Sequence, residues 1–212
     1  MLLAFDTATP AVTVALHDGQ RVVASATTVD AMRHGELLAP TITRLLDEAG
    51  VAPGDLTAVA VGVGPGPFTG LRVGLVTART LGAVLGVPVR GVCTLDVLAA
   101  EAVDSGSVDQ PFLVATDARR KEVYWASYAA DGSRRDPPRV DRPADIGTDD
   151  PVVGAGALLY PESFPRTAAP EHPSAATLAA VVVGKGADLV DPEPLYLRRP
   201  DTAPPSLPKR VS

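Results

Sequence analysis

The sequence predicts an α/β protein built from two duplicated lobes, the second smaller than the first. An apolar strand that ends on an acidic residue occurs twice, as LLAFDT over residues 2–7 and as PFLVATD over 111–117. Each is followed by a second strand that an Asp-Gly turn closes, the strongest short signal for a β-hairpin. After the first hairpin, strands and helices alternate, which is typical of a sheet covered by helices.

The remaining elements of the first lobe follow from the periodicity of its apolar residues. They are expected as strands over 11–20 and 21–29, a helix over 37–49, a strand over 56–64, a helix over 69–86, a strand over 87–92, and a helix that Thr94 caps and that runs to about Val103. Gly50 has the position of a C-terminal cap for the first helix. Pro40 is compatible with that helix only in its first turn, where its missing N–H has no partner to lose.

The second lobe is predicted to be less complete. After its hairpin only 152–157 (VVGAGA) and 174–187 (SAATLAAVVVGKGA) are convincing elements, and 133–151 is rich in Asp, Arg and Pro, which favours a loop. The expected boundaries are 1–105 for an N-terminal lobe with partner-binding helices, 106–200 for a smaller C-terminal lobe, and 201–212 for a proline-rich, disordered tail.

Composition limits the kinds of partner. The chain has 212 residues, 46% of them hydrophobic, a net charge of -6 and a pI near 5.0, which argues against independent nucleic-acid binding. Residues 119–142 hold seven basic and four acidic residues and are the one plausible place for a polyanion to touch, although a solvated hairpin surface is the preferred interpretation. Without a secretion signal or an apolar run of about 18 residues, we expect a cytoplasmic protein with no membrane partner.

The stretch 62–74, GVGPGPFTGLRVG, has the glycine content of a phosphate-binding loop but not its donors. Pro65 and Pro67 remove two backbone N–H groups, and no Lys follows. Asp6 and Asp117 end the duplicated first strands, where a divalent ion and a phosphate would meet in a cleft. The residues after them, TATP and ARRK, lack the glycines that let a phosphate approach. The pattern favours an inherited cleft without a working nucleotide site.

No catalytic, cofactor-binding or metal-binding residue is predicted. The three histidines, His17, His34 and His172, have no second histidine at helical spacing, and His34 is expected to contact solvent or a neighbour at the start of a helix. Cys93 is the sole cysteine, so no internal disulfide can form, and its apolar surroundings indicate a core residue.

A ridge of small residues runs along the predicted helix 69–86. Gly70, Gly74, Ala78, Gly82 and Gly86 recur every four residues. Because each interior glycine costs about 0.5–1 kcal/mol relative to alanine, the ridge indicates close approach of another backbone. The helix is apolar nearly all round, so it should be covered on two sides. Other helices of the same lobe or a partner protein could supply the second cover, and we favour the partner.

Several stretches together resemble the TsaB family, also called YeaZ. They are FDTATPAVTVAL, HGELLAP, VGVGPGPFTGLRVGL, VPVRGVCTL, TDARRKEVYWASY and EPLYLRRP, and they extend from Leu2 to about Pro200. The resemblance implies two lobes of the actin-like ATPase (ribonuclease H-like) type. It also implies a role in making threonylcarbamoyladenosine beside the anticodon of tRNA. Two departures are the short second lobe and Pro67, where the family commonly has Ser.

The resemblance further implies an accessory subunit without catalytic activity of its own. In the family, TsaB pairs with its paralogue TsaD, which transfers the threonylcarbamoyl group, and the ATPase TsaE joins them; tRNA is met only within that complex. The contact with TsaD uses the first two helices, which implies an interface of Leu38, Ile42, Leu45, Leu46, Gly70, Leu71, Gly74 and Ala78. When alone, the chain is expected to self-associate as a homodimer through the same helices.

The alternative hypothesis is an enzyme on the same fold. A metal-dependent peptidase would need the histidine pair that the sequence lacks. A small-molecule kinase would need a loop whose glycines are not interrupted by Pro65 and Pro67.

Overall fold

The computed structural model describes residues 1–184 and 188–198. This part of the chain contains two five-stranded mixed sheets. The first contains β1 (Leu2–Asp6), β2 (Ala11–His17), β3 (Val22–Val29), β4 (Ala58–Gly62) and β5 (Val89–Val92), in the order β3-β2-β1-β4-β5. The second contains β6 (Phe112–Asp117), β7 (Val123–Tyr128), β8 (Arg139–Asp141), β9 (Val152–Val153) and β10 (Thr167–Ala168), in the order β8-β7-β6-β9-β10. The shared order confirms the predicted two-lobed α/β fold with its duplication.

The pairing directions repeat as well. In both sheets the first three strands are antiparallel neighbours, and the fourth strand lies parallel to the first on its other side. Three strands of the second sheet are short, with three residues in β8 and two each in β9 and β10. The predicted boundary after residue 105 stays a prediction, and the predicted tail, 201–212, lies outside the described residues.

The helices are α1 (His34–Ala49), α2 (Phe68–Leu85), α3 (Thr94–Asp104), α4 (Pro143–Ile146), α5 (Ala155–Leu159) and α6 (Ala175–Gly184), and Pro53–Asp55 forms a 3-10 turn. α1 and α2 cover one face of the first sheet, and α3 and α6 cover the other. α3 also packs on the second sheet, so it is the layer between the lobes. Because successive strand residues point to opposite faces, Leu3 and Phe5 enter the core under α1 and α2 while Leu2 and Ala4 enter the opposite one.

α1 begins earlier than its apolar spacing predicts. It starts at His34, so Pro40 lies inside the helix and not in its first turn; that expectation was wrong. Pro40 is exposed, so the Glu36 carbonyl that loses its helical partner can be solvated. Gly50 caps the helix in the left-handed conformation, with φ 64°, as predicted.

Two features of the second half differ from the sequence prediction. Residues 133–151 contain β8 and α4 instead of a loop, and β8 is fixed to β7 by the Trp125 indole N–H, which donates to Asp141 at 2.9 Å. The α6 segment, counted with the second lobe from its place in the sequence, packs on the first sheet. There the Ala175 N–H donates to Thr13 Oγ1 at 2.9 Å. β8 forms because it pairs with β7, and α6 is placed by the sheet face on which it packs. Both contacts are distant in sequence, so the local sequence does not predict them.

Among the described residues, α2 alone is long and apolar enough to cross a membrane by length and composition. This is weak evidence, because the core helix of a soluble protein passes the same test. α2 carries Arg72 and Arg79 and packs its small residues on the first lobe.

Candidate functional site

The small residues of α2 face the chain's own lobe. The Thr7 hydroxyl donates to the Gly70 carbonyl at 2.8 Å and accepts the Gly74 N–H at 3.0 Å. A Cβ on Gly70 would lie 2.6 Å from the Thr7 carbonyl oxygen, and one on Gly74 would lie 2.6 Å from Thr7 Oγ1. The two glycines therefore admit the loop that follows β1.

The rest of the ridge is closed in the same way. Ala78 is fully buried, and a Cβ on Gly82 would lie 2.3 Å from Val89 Cγ2 of β5. Gly86 is exposed and caps the helix at φ 66°. The interpretation that a partner protein covers the ridge was wrong, because the loop after β1 and the strand β5 already cover it.

All eight residues implied as a partner interface lie inside the first lobe. All eight are buried: Leu38, Ile42, Leu45, Leu46, Gly70, Leu71, Gly74 and Ala78. The side chains of the six that are not glycine belong to the core between the first sheet and the helices α1 and α2. Their burial follows from the same periodicity that predicted the helices, since it marks the core face. Contact of these helices with a partner stays a prediction, and other residues would have to make it.

The opposite side of α2 is exposed. Phe68, Arg72, Val76, Thr80 and Val84 recur every four residues, two positions out of phase with the ridge, and all five are exposed. At about 100° per residue, two positions place this outer stripe on the far side of the helix. Phe68 is 41% exposed, Val76 62% and Val84 76%. Sequence reasoning missed the stripe because it tested which residues were small and not which side was covered.

Asp6 is sealed inside the first lobe. Its carboxylate accepts the Ala8 N–H and the Thr94 hydroxyl, both at 2.7 Å, and Thr94 Oγ1 accepts the Gly64 N–H at 3.2 Å. Complete burial raises the pKa of Asp6, and the bonds from Ala8 and Thr94 oppose that rise. Thr94 is the first residue of α3, with Cys93 at the cap position, so the predicted capping role was wrong. Its hydroxyl donates a hydrogen bond to Asp6 instead.

The glycine-rich loop packs against this buried carboxylate. A Cβ on Gly62 would lie 1.8 Å from Asp6 Oδ2, and one on Gly66 would lie 2.0 Å from the Ala8 carbonyl oxygen. Both distances are far below any real carbon contact. The loop glycines therefore serve the packing of the chain on itself.

Asp117, the matching acid of the second lobe, lies in a different environment. Its carboxylate accepts the Arg119 N–H at 2.7 Å and lies 3.5 Å from the Arg119 guanidinium, and its side chain remains 19% exposed. The three residues Arg119, Arg120 and Lys121 are exposed and left-handed. The two acids thus hold similar turns, one internal and one at the surface.

The histidines and the cysteine have structural roles. His34 is buried, and its Nε2–H donates to the Thr9 carbonyl at 2.7 Å, the neighbour contact that was predicted. The Gly19 N–H donates to His17 Nδ1, and His172 lies 3.4 Å from Glu171. Burial raises the pKa of the Cys93 thiol to about 12, as suits the predicted core residue. Over 1–184 and 188–198, no group of three or more His, Cys, Asp or Glu side chains could hold a metal ion.

A cavity of about 260 Å³ opens where the lobes meet. Thr7, Thr9, His34, Thr69 and Gly70 line it from the first lobe, and Arg119 lines it from the second. Pockets that enclose a small-molecule ligand measure about 300–1,000 Å³, so this one is small.

Asp96, in the first turn of α3, links this helix to the second lobe. It accepts the Tyr128 hydroxyl at 2.8 Å and an Arg134 N–H at 3.0 Å. Burial raises the pKa of Asp96, and both partners oppose the rise. A cavity of about 620 Å³ adjoins this cluster. The carboxylate fixes α3 to the second sheet.

Solved structures of similar chains extend over nearly the whole fold. YeaZ from Pseudomonas aeruginosa aligns with a TM-score of 0.77 at 33% identity, over 92% of this chain and 99% of that one. The chain belongs to the TsaB (YeaZ) family. A second Pseudomonas aeruginosa structure, described as an uncharacterized protein with similarity to peptidase YEAZ, aligns with a TM-score of 0.79 at 33% identity, over 93% and 99%.

Sequence relatives agree with TsaB membership. An uncharacterized protein of Mycobacterium tuberculosis is 45% identical over 96% of this chain and 94% of its own. The tRNA threonylcarbamoyladenosine biosynthesis protein TsaB of Escherichia coli is 38% identical over 61% of this chain, and the match spans about half, 55%, of that relative. The family described as "TsaD: tRNA N6-adenosine threonylcarbamoyltransferase" matches residues 22–171. This chain therefore shares a recognisable sequence pattern with that transferase family.

Proposed function

We propose that this TsaB-family chain is a non-catalytic subunit required for threonylcarbamoyladenosine modification of tRNA beside the anticodon. It acts in the cytoplasm by binding and supporting the catalytic paralogue TsaD, with the ATPase TsaE as a third component, and meets tRNA within that complex. The names of the Escherichia coli and Bacillus subtilis relatives support the pathway. The match to the TsaD family supports a paralogue with similar lobes.

The outer stripe of α2 is the observation that carries the partner proposal. The inner side of α2 is covered by its own lobe, yet Val76 and Val84 remain largely exposed on the other side. Exposed apolar side chains aligned on one side of a helix favour a protein interface. The neighbouring helix α1 contacts α2 and exposes Pro40, Thr43 and Arg44. A partner helix pair laid on this face would bury both.

The supporting role follows from how the cleft is built. Asp6, which would face a nucleotide or metal in an active relative of this fold, is occupied by Ala8 and Thr94. The glycines beside it are filled by the chain itself. These contacts favour a subunit whose cleft is structural, with catalysis in the paralogue.

Paired substitutions on two exposed apolar surfaces test the proposal. The double variant Val76→Glu, Val84→Glu should weaken binding to TsaD by about 30-fold or more, the effect of losing one hot spot, and should lower tRNA modification in a reconstituted assay. The matched control, Leu158→Glu with Leu159→Glu, alters residues of similar exposure in the second lobe and should leave both unchanged. Wild-type binding by the α2 variant would overturn the proposal.

A substitution on the glycine ridge is unsuited to this test. A side chain placed at Gly74 would collide with Thr7 Oγ1 inside the lobe, so Gly74→Leu would report on folding and not on the partner. The same outer stripe should mediate self-association of the isolated chain, and the Val76→Glu, Val84→Glu variant should sediment as a monomer.

An enzyme on this fold remains the alternative, and the transferase name of the matching family is the observation in its favour. Calorimetry with ATP and Mg²⁺ separates the two hypotheses. Micromolar binding by the isolated chain, about -8 kcal/mol, would revive a kinase or ATPase activity.

A further inference from the structure

The turn between β6 and β7 holds three cations in an unusual backbone conformation. Arg119, Arg120 and Lys121 have φ values of 62°, 56° and 61°, each costing an L-residue about 1–2 kcal/mol. The Ala118 N–H donates to the Glu122 carbonyl at 3.0 Å, and the Glu122 N–H donates to the Arg119 carbonyl at 3.1 Å. These bonds close the turn, and all three basic residues are exposed at its tip.

Two exposed aromatic side chains lie beside this turn. Phe68, at the start of α2, stacks on Tyr196 with 5.4 Å between ring centres, and the Arg72 guanidinium lies 4.5 Å from the centre of the Phe68 ring. Both rings remain about two-fifths exposed, 41% for Phe68 and 40% for Tyr196. A planar ring open to solvent next to cations is the arrangement that stacks nucleic-acid bases.

Arg198 joins the aromatic pair to the turn. Its Nη1–H donates to the Ala118 carbonyl at 3.0 Å, and its guanidinium pairs with Glu122. A cavity of about 190 Å³ lies between the two sides, lined among others by Phe68, Arg119, Arg120, Tyr196 and Arg198. Three parts of the chain that are distant in sequence therefore converge on one surface.

The charge of this surface is opposite to that of the whole chain. It carries the cations Arg72, Arg119, Arg120, Lys121 and Arg198 and the carboxylates Asp117 and Glu122. The chain as a whole has a net charge of -6. A local excess of positive charge on an acidic protein is the electrostatic footprint of a polyanion site.

We propose that this basic-aromatic patch, formed by Phe68, Arg72, Arg119, Arg120, Lys121, Tyr196 and Arg198, binds RNA. The turn contacts phosphates, and an unpaired base stacks on Tyr196. The cavity is smaller than the roughly 300 Å³ needed to enclose a small ligand, which favours a polymer that presents one group at a time over a free nucleotide. The patch shares Phe68 and Arg72 with the N-terminal end of the outer stripe of α2, whereas Val76 and Val84 lie further along the helix, so RNA there would also reach a TsaD bound at Val76 and Val84. This inference rests on the proposed function.

The test removes charge without disturbing the turn. Asparagine tolerates the left-handed region, so the triple variant Arg119→Asn, Arg120→Asn, Lys121→Asn should fold. The matched control, Arg21→Asn, Arg135→Asn, Arg142→Asn, removes three exposed cations elsewhere. Each variant is assembled with TsaD, and its dissociation constant for an unmodified tRNA transcript is measured from 0.05 to 0.3 M salt, about the range in which phosphate contacts dominate.

The expected result is a smaller salt dependence for the turn variant. The slope of log Kd against log salt should fall by about two, and Kd near 0.15 M should rise at least about tenfold, whereas the control should stay close to the wild type. Tyr196→Leu, which leaves the turn intact, should raise Kd by about tenfold with an unchanged slope. A turn variant equal to the control in both slope and Kd would overturn the proposal.

Binding to TsaD is measured in parallel, which separates this inference from the proposed function. Variants that keep TsaD but also keep full tRNA affinity contradict the patch alone. Loss of TsaD binding in the turn variant would show a protein contact and also contradict the patch. If the wild-type chain does not bind TsaD, the proposed function fails. The patch is then tested on the isolated chain at about 0.02 M salt, where RNA binding by the wild type that the Asn variant abolishes supports it and no binding overturns it.

Discussion

The turns after Asp6 and after Asp117 are duplicates that now serve different purposes. In each, the carboxylate accepts the backbone N–H of the residue two positions on, at 2.7 Å. Asp6 is fully buried and also accepts the Thr94 hydroxyl, whereas Asp117 stays partly exposed beside Arg119. The same Asp-closed turn is buried and hydrogen-bonded to Thr94 in the first lobe, and lies at the surface beside cations in the second.

The glycines of each lobe account for the difference. In the first lobe, Gly62 and Gly66 press on Asp6 and on the Ala8 carbonyl. In the second, Gly154 and Gly156 press on Ala115 within β6, before the acid is reached. The glycine segment therefore contacts the turn itself in the first lobe, but contacts the strand before the turn in the second lobe. Long-range packing, and not the turn itself, decides which acid is sealed.

Gly66→Ala should break the first turn and give the largest effect. Its new Cβ would meet the Ala8 carbonyl at 2.0 Å, a backbone atom that cannot swing aside, so we expect a loss of about 3 kcal/mol in the free energy of unfolding, measured with urea. Gly35→Ala is the control, because a Cβ there meets nothing within 4 Å and should stabilise α1 by about 0.5–1 kcal/mol.

Removing each acid in turn should give the next largest losses in the free energy of unfolding, and the loss should be greater for Asp6 than for Asp117. Asp6→Ala leaves the buried Ala8 N–H without its acceptor and should cost about 2 kcal/mol. Asp117→Ala removes a bond near solvent and should cost about 0.5–1 kcal/mol. Equal losses in urea unfolding would contradict the distinction between a buried and an exposed turn.

The pH dependence of stability sharpens the same comparison. Burial raises the pKa of Asp6 above its ordinary 3.8, so its stabilising contribution is complete below pH 3.8 and is lost as pH rises through the folded-state pKa. Asp6→Asn removes this titration. The stability of the variant relative to wild type should therefore rise with pH from about 4 and then level off, by about 1.4 kcal/mol for each unit of raised pKa. A difference in stability that does not change over this pH range would argue against the sealed carboxylate.

Lys121→Gly should relax the second turn and give the smallest effect. Glycine adopts φ near 61° without the Cβ penalty, and the gain exceeds its extra entropy in the unfolded chain, so we expect a stabilisation of about 0.5 kcal/mol. Ala39→Gly, at an exposed site within α1, should instead destabilise by about 0.5–1 kcal/mol. A destabilised Lys121→Gly would mean that the turn is not strained. Thermal unfolding resolves both changes.

The sequence predicts this fold well where its signals are local. The repeated strand with a terminal acid at Asp6 and Asp117 is enough to infer the duplication, and Gly50 and Gly86 cap the helices as glycine caps do. The short strands β8, β9 and β10 escape prediction because two or three residues become a strand only by pairing with β7 or β6.

The candidate site shows where periodicity stops being informative. Spacing along α2 fixes two opposite stripes but not which of them the lobe covers, so the prediction that a partner covers the ridge with Gly70 and Gly74 was wrong. The role of Thr94 depends on Asp6, 88 positions away, and the convergence of Tyr196 with Phe68 depends on the whole fold. Neither contact leaves a mark in the local sequence.

The return of α6 to the first sheet has a consequence for biosynthesis. The N-terminal half emerges from the ribosome first, at about 5–20 residues per second, yet the face that carries Leu2 and Ala4 is covered only in part, by α3, until residues 175–184 have been translated. The first lobe can therefore complete its core only after most of the second lobe has been translated. A stalled or prematurely terminated chain would leave part of an apolar sheet face exposed to solvent, chaperones and proteases.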